Sequence, residues 1–168
     1  RIAVAGLTCL DVGQSTGGFT DCLLQAGAAR VVGVDVGHDQ LHQRLHGDPR
    51  LVCLEGINAR ELDASHLGTH LPAEGFDLIV ADLSFISLGK VLPQLPPLLK
   101  RDGQMLLLVK PQFEVGPEGL AKGGVVRDEV ERSLPRLAEV PFDSAHKFMA
   151  TFHRDGDLVK VFVKGAPD

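Results

Sequence analysis

Four short apolar runs, each closing on an acid, constrain most strongly how this chain folds. They are Leu7 to Asp11, Arg30 to Asp35 ("RVVGVD"), Leu51 to Glu55 ("LVCLE") and Phe76 to Asp82 ("FDLIVAD"). A fifth run, Gly103 to Lys110 ("GQMLLLVK"), closes on a base. Such runs are too short for helices and show little alternation of polar and apolar residues, so they read as strands buried on both faces. Helical stretches are expected between them: Gly18 to Gln25, His38 to Leu45, a weaker turn near Glu61 to Leu67, and Leu88 to Leu99. In the last of these, Pro93, Pro96 and Pro97 force an irregular or broken helix, because each removes an amide donor. Strands alternating with helices give an α/β, doubly wound, mostly parallel sheet built through right-handed crossovers.

The last third reads differently. "VVRDEVERSLPRLAEV" opens like a helix with Asp128 as its N-cap, although Pro135 falls at an interior position. "KFMATFHRDGDLVKVFVKG" alternates polar and apolar residues about an Asp-Gly turn, the pattern of an antiparallel hairpin at a sheet edge. No repeat, linker or low-complexity tract interrupts the chain, so a single domain over residues 1–168 is expected. No apolar run approaches the ~18 residues that cross a bilayer, which favours a cytoplasmic protein without membrane contact. Cys9, Cys22 and Cys53 show no CxxC spacing and are odd in number, so they are expected as buried, reduced thiols. The formal charge of -5 opposes general nucleic-acid binding. Any basic surface must be local, or lie on a segment outside this chain.

The acids at the strand ends carry the functional signal. In open α/β sheets ligands bind beyond the carboxyl ends of the strands, and the first such loop here is "DVGQSTGG". It lacks the Gly-Lys-Ser/Thr of a triphosphate loop, and Ser15 stands where a dinucleotide fingerprint needs its second glycine. Asp11 repels pyrophosphate and suits an ammonium group. Asp35, ending the second run, suits the two hydroxyls of a ribose. A ligand with a cationic amino-acid end and a ribose, but no phosphate, is S-adenosyl-L-methionine. Asn58 in "EGINAR" is placed to meet an adenine, and Asp82 lies where the sulfonium and its methyl would be. The competing reading has Asp11 and Asp35 as helix caps and Asn58 as an ordinary loop residue.

"LDVGQSTGGFTDCLLQAGAARVVGVDVG", "ADLSFISLGKVLPQL" and "LLVKPQFEVGPEGLAKGGVVRD" resemble the TlyA-type family, FtsJ-like ribosomal RNA 2′-O-methyltransferases in which some members are labelled hemolysin A. The likeness runs from about Gly6 to Asp128. It implies a seven-stranded Rossmann-like methyltransferase sheet with an antiparallel C-terminal edge hairpin, and ribosomal RNA or a ribosomal subunit as partner. It also implies a small RNA-binding domain upstream of Arg1. The implied cofactor residues are Asp11, Gly13, Ser15, Gly17, Gly18, Phe19, Asp35, Val36, Asn58 and Asp82. FtsJ-like enzymes use a Lys-Asp-Lys-Glu set to orient and deprotonate the acceptor hydroxyl. Asp82 matches the aspartate and Lys110 the second lysine. The first lysine is expected upstream of Arg1, and the place of the glutamate reads "DGDLVKVFV", with Val159 or Lys160 at the position. Substrate contacts are implied for Phe85, Gln112, Phe113, Glu114, Lys122 and Arg127.

Two rival functions share these residues: a small-molecule methyltransferase, which has no need of Lys110, and a non-catalytic ribosome-associated module, which fits the missing glutamate. Phe85 reads first as a residue packed beneath its loop and only then as one that touches the cofactor or wedges the substrate, and "GPEGLAKGGVVRD" as a lid over the acceptor or a plain surface loop. His38, His42 and His46 recur every four residues without an accompanying metal-binding glutamate, and are expected on a solvated helix face rather than in a metal site. Gln14 stands where relatives more often carry a small residue. No reading of the sequence explains it.

Overall fold

A computed structural model describes residues 2–114, 136–143, 148–155 and 158–165, with backbone alone for Pro111 and the last three stretches. The chain divides into two compact units. The first holds Arg1–Asp82 and Gly89–Leu106, the second Leu83–Leu88 and Leu107–Asp168.

In the first unit the apolar runs form strands β1 (Thr8–Val12), β2 (Arg30–Val34), β3 (Leu51–Leu54) and β4 (Phe76–Ala81). They pair in parallel in the order β3-β2-β1-β4, and β5 (Leu99–Val109) follows β4. The order reverses at β1, whose neighbours β2 and β4 come from opposite directions of the winding, so the loop after β1 opens at the switch point. The central strands are mostly apolar because they are covered on both sides: Leu10, Val12, Val31, Val32, Val34, Ile79 and Ala81 are all buried. Helix α1 (Gly18–Gln25) supplies Leu23 and Leu24 to a core shared with Cys9, Val31, Leu45, Leu78 and Val80. Each such side chain, fully buried, contributes roughly 1.5–3 kcal/mol.

Several expectations are corrected. No helix spans His38 to Leu45; a single 3₁₀ turn, Gln43–Leu45, stands there. Asp39 takes a left-handed φ of 56° and gives its N–H to the Glu55 carboxylate at 2.8 Å, which breaks helical geometry before it can propagate. The three histidines therefore share no helical face. Leu88 to Leu99 resolves into three 3₁₀ turns, Leu88–Lys90, Leu92–Gln94 and Pro96–Leu98, the last two with proline in the first turn. The short helix α2 (Ala64–Leu67) is capped by Asp63, whose carboxylate accepts from the Ser65 and His66 N–H groups. Cys9 is buried, but Cys22 and Cys53 are exposed, one on the outer side of α1 and the other on the edge strand β3.

In the second unit, α3 (Pro111–Glu114) follows β5. Strands β6 (Arg136–Asp143), β7 (Phe148–Asp155) and β8 (Leu158–Gly165) come next. β7 runs antiparallel to β6 and to β8, while Leu108 and Val109 of β5 pair in parallel with Val161 and Phe162. The described residues thus hold eight strands where seven were expected. Where the sequence pointed to a helix from Asp128, residues 136–143 are a strand. Pro135, just before it, removes the amide donor such a helix would need there. Residues 125–135 lie outside the described residues, as do Lys122 and Arg127.

Candidate active site

The strand register sets the site of the first unit. Val12 is level with Val34 on one side and Ala81 on the other, so Asp35, Gly13 and Asp82 follow side by side at the carboxyl end of the sheet. Backbone hydrogen bonds stitch this row together: Gly13 and Gln14 both give their N–H to the Val34 carbonyl, at 2.9 and 3.1 Å, and Asp82 gives its N–H to Val12. Gly13 has a φ of 81°, which lets the chain turn away from the sheet immediately. A turn closes from Gly17 N–H to the Gln14 carbonyl at 2.8 Å, and α1 begins at Gly18.

Three carboxylates meet here in different states. Asp35 is engaged by two backbone amides, Ser15 N–H on Oδ2 and Gly37 N–H on Oδ1, both at 2.7 Å. The first of these bonds holds Ser15 in its left-handed conformation, with φ 47°. Asp11 lies within β1 and is 1% exposed. Its Oδ2 accepts the Thr20 hydroxyl at 2.7 Å, and its Oδ1 is buried with no hydrogen-bond partner among the described residues. Burial pushes its carboxyl up to about 6; hydrogen bonds from the Thr20 hydroxyl and backbone N–H oppose this, and the Asp82 and Asp35 carboxylates add to it. One oxygen of Asp82 is buried as well. The Cys9 thiol, two residues before Asp11, is pushed up to about 11 by burial and by Asp77 and Asp11, which keeps it protonated and unreactive.

The other expected cofactor residues fall in separate places. Gly17, with φ 90°, packs so closely that a Cβ there would lie 2.4 Å from Leu45 and 2.9 Å from Leu41; its glycine is required by packing as well as by the turn. Gly18 faces open space. Phe19 packs on the core, and Val36 is 67% exposed. Asn58 is exposed and forms a local turn, its side-chain oxygen accepting the Arg60 N–H at 3.1 Å.

In the second unit, the two segments that carry the resemblance are fastened to each other. Lys110 donates from Nζ to the Ser84 hydroxyl at 2.8 Å. Glu114 accepts the Ser87 hydroxyl at 2.6 Å and the Leu88 N–H at 2.5 Å. Phe85 and Phe113 lie with ring centroids 5.3 Å apart. Phe85 is not packed beneath its loop: it is 89% exposed, with a left-handed φ of 62°. A ring left so bare to solvent contributes nothing to the core. Gln112 is exposed on α3. Val159 and Lys160 lie on β8, where only the backbone is described.

Sequence reasoning missed four contributors: Gln14, Thr20, Ser84 and Ser87. A glycine in the middle of an otherwise β-branched strand, Gly33, was the available signal for the first two. A Cβ at Gly33 would lie 2.0 Å from the Gln14 amide, so that side chain fills the space the glycine leaves. This explains Gln14.

The FtsJ-like methyltransferase family model matches residues 1–150. The chain belongs to the FtsJ-like methyltransferase family. Over 137 residues, 82% of its length, it is 53% identical to the 16S/23S rRNA (cytidine-2′-O)-methyltransferase TlyA of Mycobacterium tuberculosis, of which the match covers 49%. It is 42% identical over 131 residues to Hemolysin A of Brachyspira hyodysenteriae, covering 78% of this chain and 53% of that one. The crystal structure of a candidate hemolysin from Lactococcus lactis superposes with a TM-score of 0.70 at 40% identity, covering 78% of this chain and 61% of the other. The chain therefore spans about half the length of the curated relatives it matches. No helix among the described residues is long and apolar enough to cross a membrane.

Proposed function

We propose that this protein transfers a methyl group from S-adenosyl-L-methionine to ribose 2′-hydroxyls of ribosomal RNA. The observation that carries the donor assignment is Asp11: a fully buried carboxylate with one unpartnered oxygen and no cation beside it among the described residues. Such a group is costly unless a ligand brings the missing positive charge. The donor's ammonium group does so, and phosphate would make the repulsion worse. Asp35 keeps acceptor capacity on its two oxygens for the ribose hydroxyls, and Gly18 leaves room beside the first turn of α1.

S-adenosyl-L-methionine supplies the methyl group, activated on a sulfonium. The chain's own part is to orient the acceptor hydroxyl and accept its proton. Asp82 and Lys110 are the matched members of the family's catalytic set. In this reading Lys110, held by Ser84, draws the acceptor oxygen into line, and the Asp82 carboxylate takes the proton the hydroxyl loses as its oxygen gains the methyl. The RNA specificity rests on the relatives named above and on the exposed Phe85, Gln112 and Glu114 segment. Lys122 and Arg127, which lie outside the described residues, are proposed as further contacts to the substrate backbone. The full-length protein acts in the cytoplasm on a ribosomal subunit, with an RNA-binding domain upstream of Arg1.

The test is transfer of labelled methyl from S-adenosyl-L-methionine to ribosomal subunits by the full-length protein, with Lys110→Ala and Asp82→Ala beside the wild type. Transfer should fall roughly 10²-fold or more in each variant. Wild-type protein that binds the donor but labels no RNA would favour the non-catalytic module or a small-molecule acceptor, and variants that label RNA as well as wild type would take Asp82 and Lys110 out of the catalytic set.

A further inference from the structure

The loop after β1 encloses a polar chain with no role in the catalytic set. Gln14, Thr20 and Asp11 are 3%, 0% and 1% exposed. Gln14 Nε2 donates to Thr20 Oγ1 at 2.9 Å, and Thr20 Oγ1 donates to Asp11 Oδ2 at 2.7 Å. The direction of this chain follows from proton counting. An ionised carboxylate only accepts, so the single hydroxyl proton of Thr20 must face Asp11, and Thr20 must then be the acceptor for Gln14. The Gln14 amide is thereby fixed with its nitrogen inward. Its seat is Gly33, the register partner of Asp11, where a Cβ would lie 2.0 Å from Nε2. Its backbone is fixed too, through the N–H given to the Val34 carbonyl.

We infer that Gln14 and Thr20 are positioning residues for donor binding. They hold the Asp11 carboxylate by Oδ2 alone and reserve Oδ1 for the cationic end of the methyl donor, met directly or through one water. This rests on the donor reading given above. The physical consequence is a coupling between the chain and the charge of Asp11. With the Thr20 hydrogen bond in place, Asp11 ionises despite its burial and despite the Asp35 and Asp82 carboxylates that face it from the ends of β2 and β4. The neighbouring Cys9 thiol stays neutral and adds no charge. Without that bond the balance shifts to the protonated acid, which offers a cation no charge.

The experiment is calorimetric titration of S-adenosyl-L-methionine into the full-length protein between pH 5.5 and 8.5. Wild type, Thr20→Val, Thr20→Ser and Gln14→Ala are compared, each first shown to be folded by circular dichroism. Wild-type affinity should fall as the pH drops through about 6. In Thr20→Val this acid limb should move to higher pH, weakening binding on the limb by about tenfold for each unit of displacement. Thr20→Ser should restore the wild-type profile. Gln14→Ala should move the limb the same way by less, because the hydroxyl remains but is no longer held. A wild-type profile in Thr20→Val and Gln14→Ala overturns the inference and leaves the donor reading intact. Uniform weakening with no displacement of the limb also overturns it, since that is what a merely structural role predicts. Wild-type protein that binds no donor at any pH overturns the donor reading, and this inference with it.

Discussion

Two aspartates at opposite ends of the same sheet are treated in opposite ways. Asp77, near the start of β4, accepts the Thr8 N–H at 2.9 Å and the Lys100 ammonium at 3.2 Å, and these bonds hold its carboxyl below the usual range. Asp11, near the end of β1, is more deeply buried, has Thr20 and no cation for a partner and faces two further carboxylates, which together with burial hold it well above the usual range. A charge kept for stability is neutralised within the fold. A charge kept for binding, as proposed for Asp11, is left uncompensated until the ligand arrives, and perturbed groups of this kind concentrate at functional sites. The loop after β1 is thus a place where the fold gives up stability, whereas the opposite end of the sheet is where it gains some.

The most direct way to break this comparison is Asp11→Asn. The amide keeps an oxygen for Thr20 and removes the charge. Donor affinity should fall roughly 10- to 100-fold, the range for losing a hydrogen bond to a charged group. Stability should move the other way. The folded carboxyl titrates at about 6 against 3.8 for the free side chain, so the folded state binds the proton more tightly. Wild-type stability therefore falls as pH rises from about 4 to about 6 and stays lower above that. Chemical denaturation at pH 8 should find Asp11→Asn more stable by something on the order of 1–2 kcal/mol, with the gain vanishing near pH 4. A variant that loses both binding and stability would show that Asp11 is a structural acid like Asp77.

Gly33→Ala tests how the uncompensated charge is held. The added methyl meets the Gln14 amide at a distance no pair of atoms tolerates, so Gln14 must leave its seat. Overpacking of this kind costs roughly 1–3 kcal/mol. Removing the obstacle in Gly33→Ala/Gln14→Ala should recover most of it, a non-additivity that a double-mutant cycle reads directly. Equal and additive losses would mean that Gly33 is required by the strand and not by Gln14.

These residues also show how far the sequence could be read. The strands of the first unit were legible to within a few residues, because two-sided burial writes itself as unbroken apolar runs. Asp35 and Asp82 were legible as neighbours, because strand ends of a parallel sheet come together whatever lies between them, whereas Asp11, read as a strand end, lies within β1 level with Gly33. What could not be read depended on contacts at a distance. The segment from His38 has helical spacing but is turned aside by Asp39, whose amide is claimed by Glu55, a residue on the far side of β3. Phe85 looked like a core residue by composition alone, and only its backbone conformation and its neighbour Phe113 show it as a surface feature. Gln14 was visible as an oddity and Gly33 as a strand glycine, yet nothing in a linear sequence says that one fills the space left by the other.

The smallest expected effect completes the contrast. Asp77→Asn removes a charge that the fold already balances, so it should cost about 1 kcal/mol, the net worth of the hydrogen bonds it weakens. The sign with pH is opposite to that of Asp11. The Asp77 carboxyl is lowered in the folded state, so its contribution is present at neutral pH and is lost as the pH falls through the carboxylate range. Urea denaturation at pH 7 and pH 3 should show the deficit of Asp77→Asn at the first and little of it at the second. Donor affinity should change far less than in Asp11→Asn, because the Asp77 charge is already balanced by Lys100 and lies three residues of strand, roughly 10 Å, from Val80, the register partner of Asp11. A change in donor affinity comparable to that of Asp11→Asn would mean that the carboxylates at the two ends act as one field, and that burial alone, rather than position in the sheet, decides which of them binds.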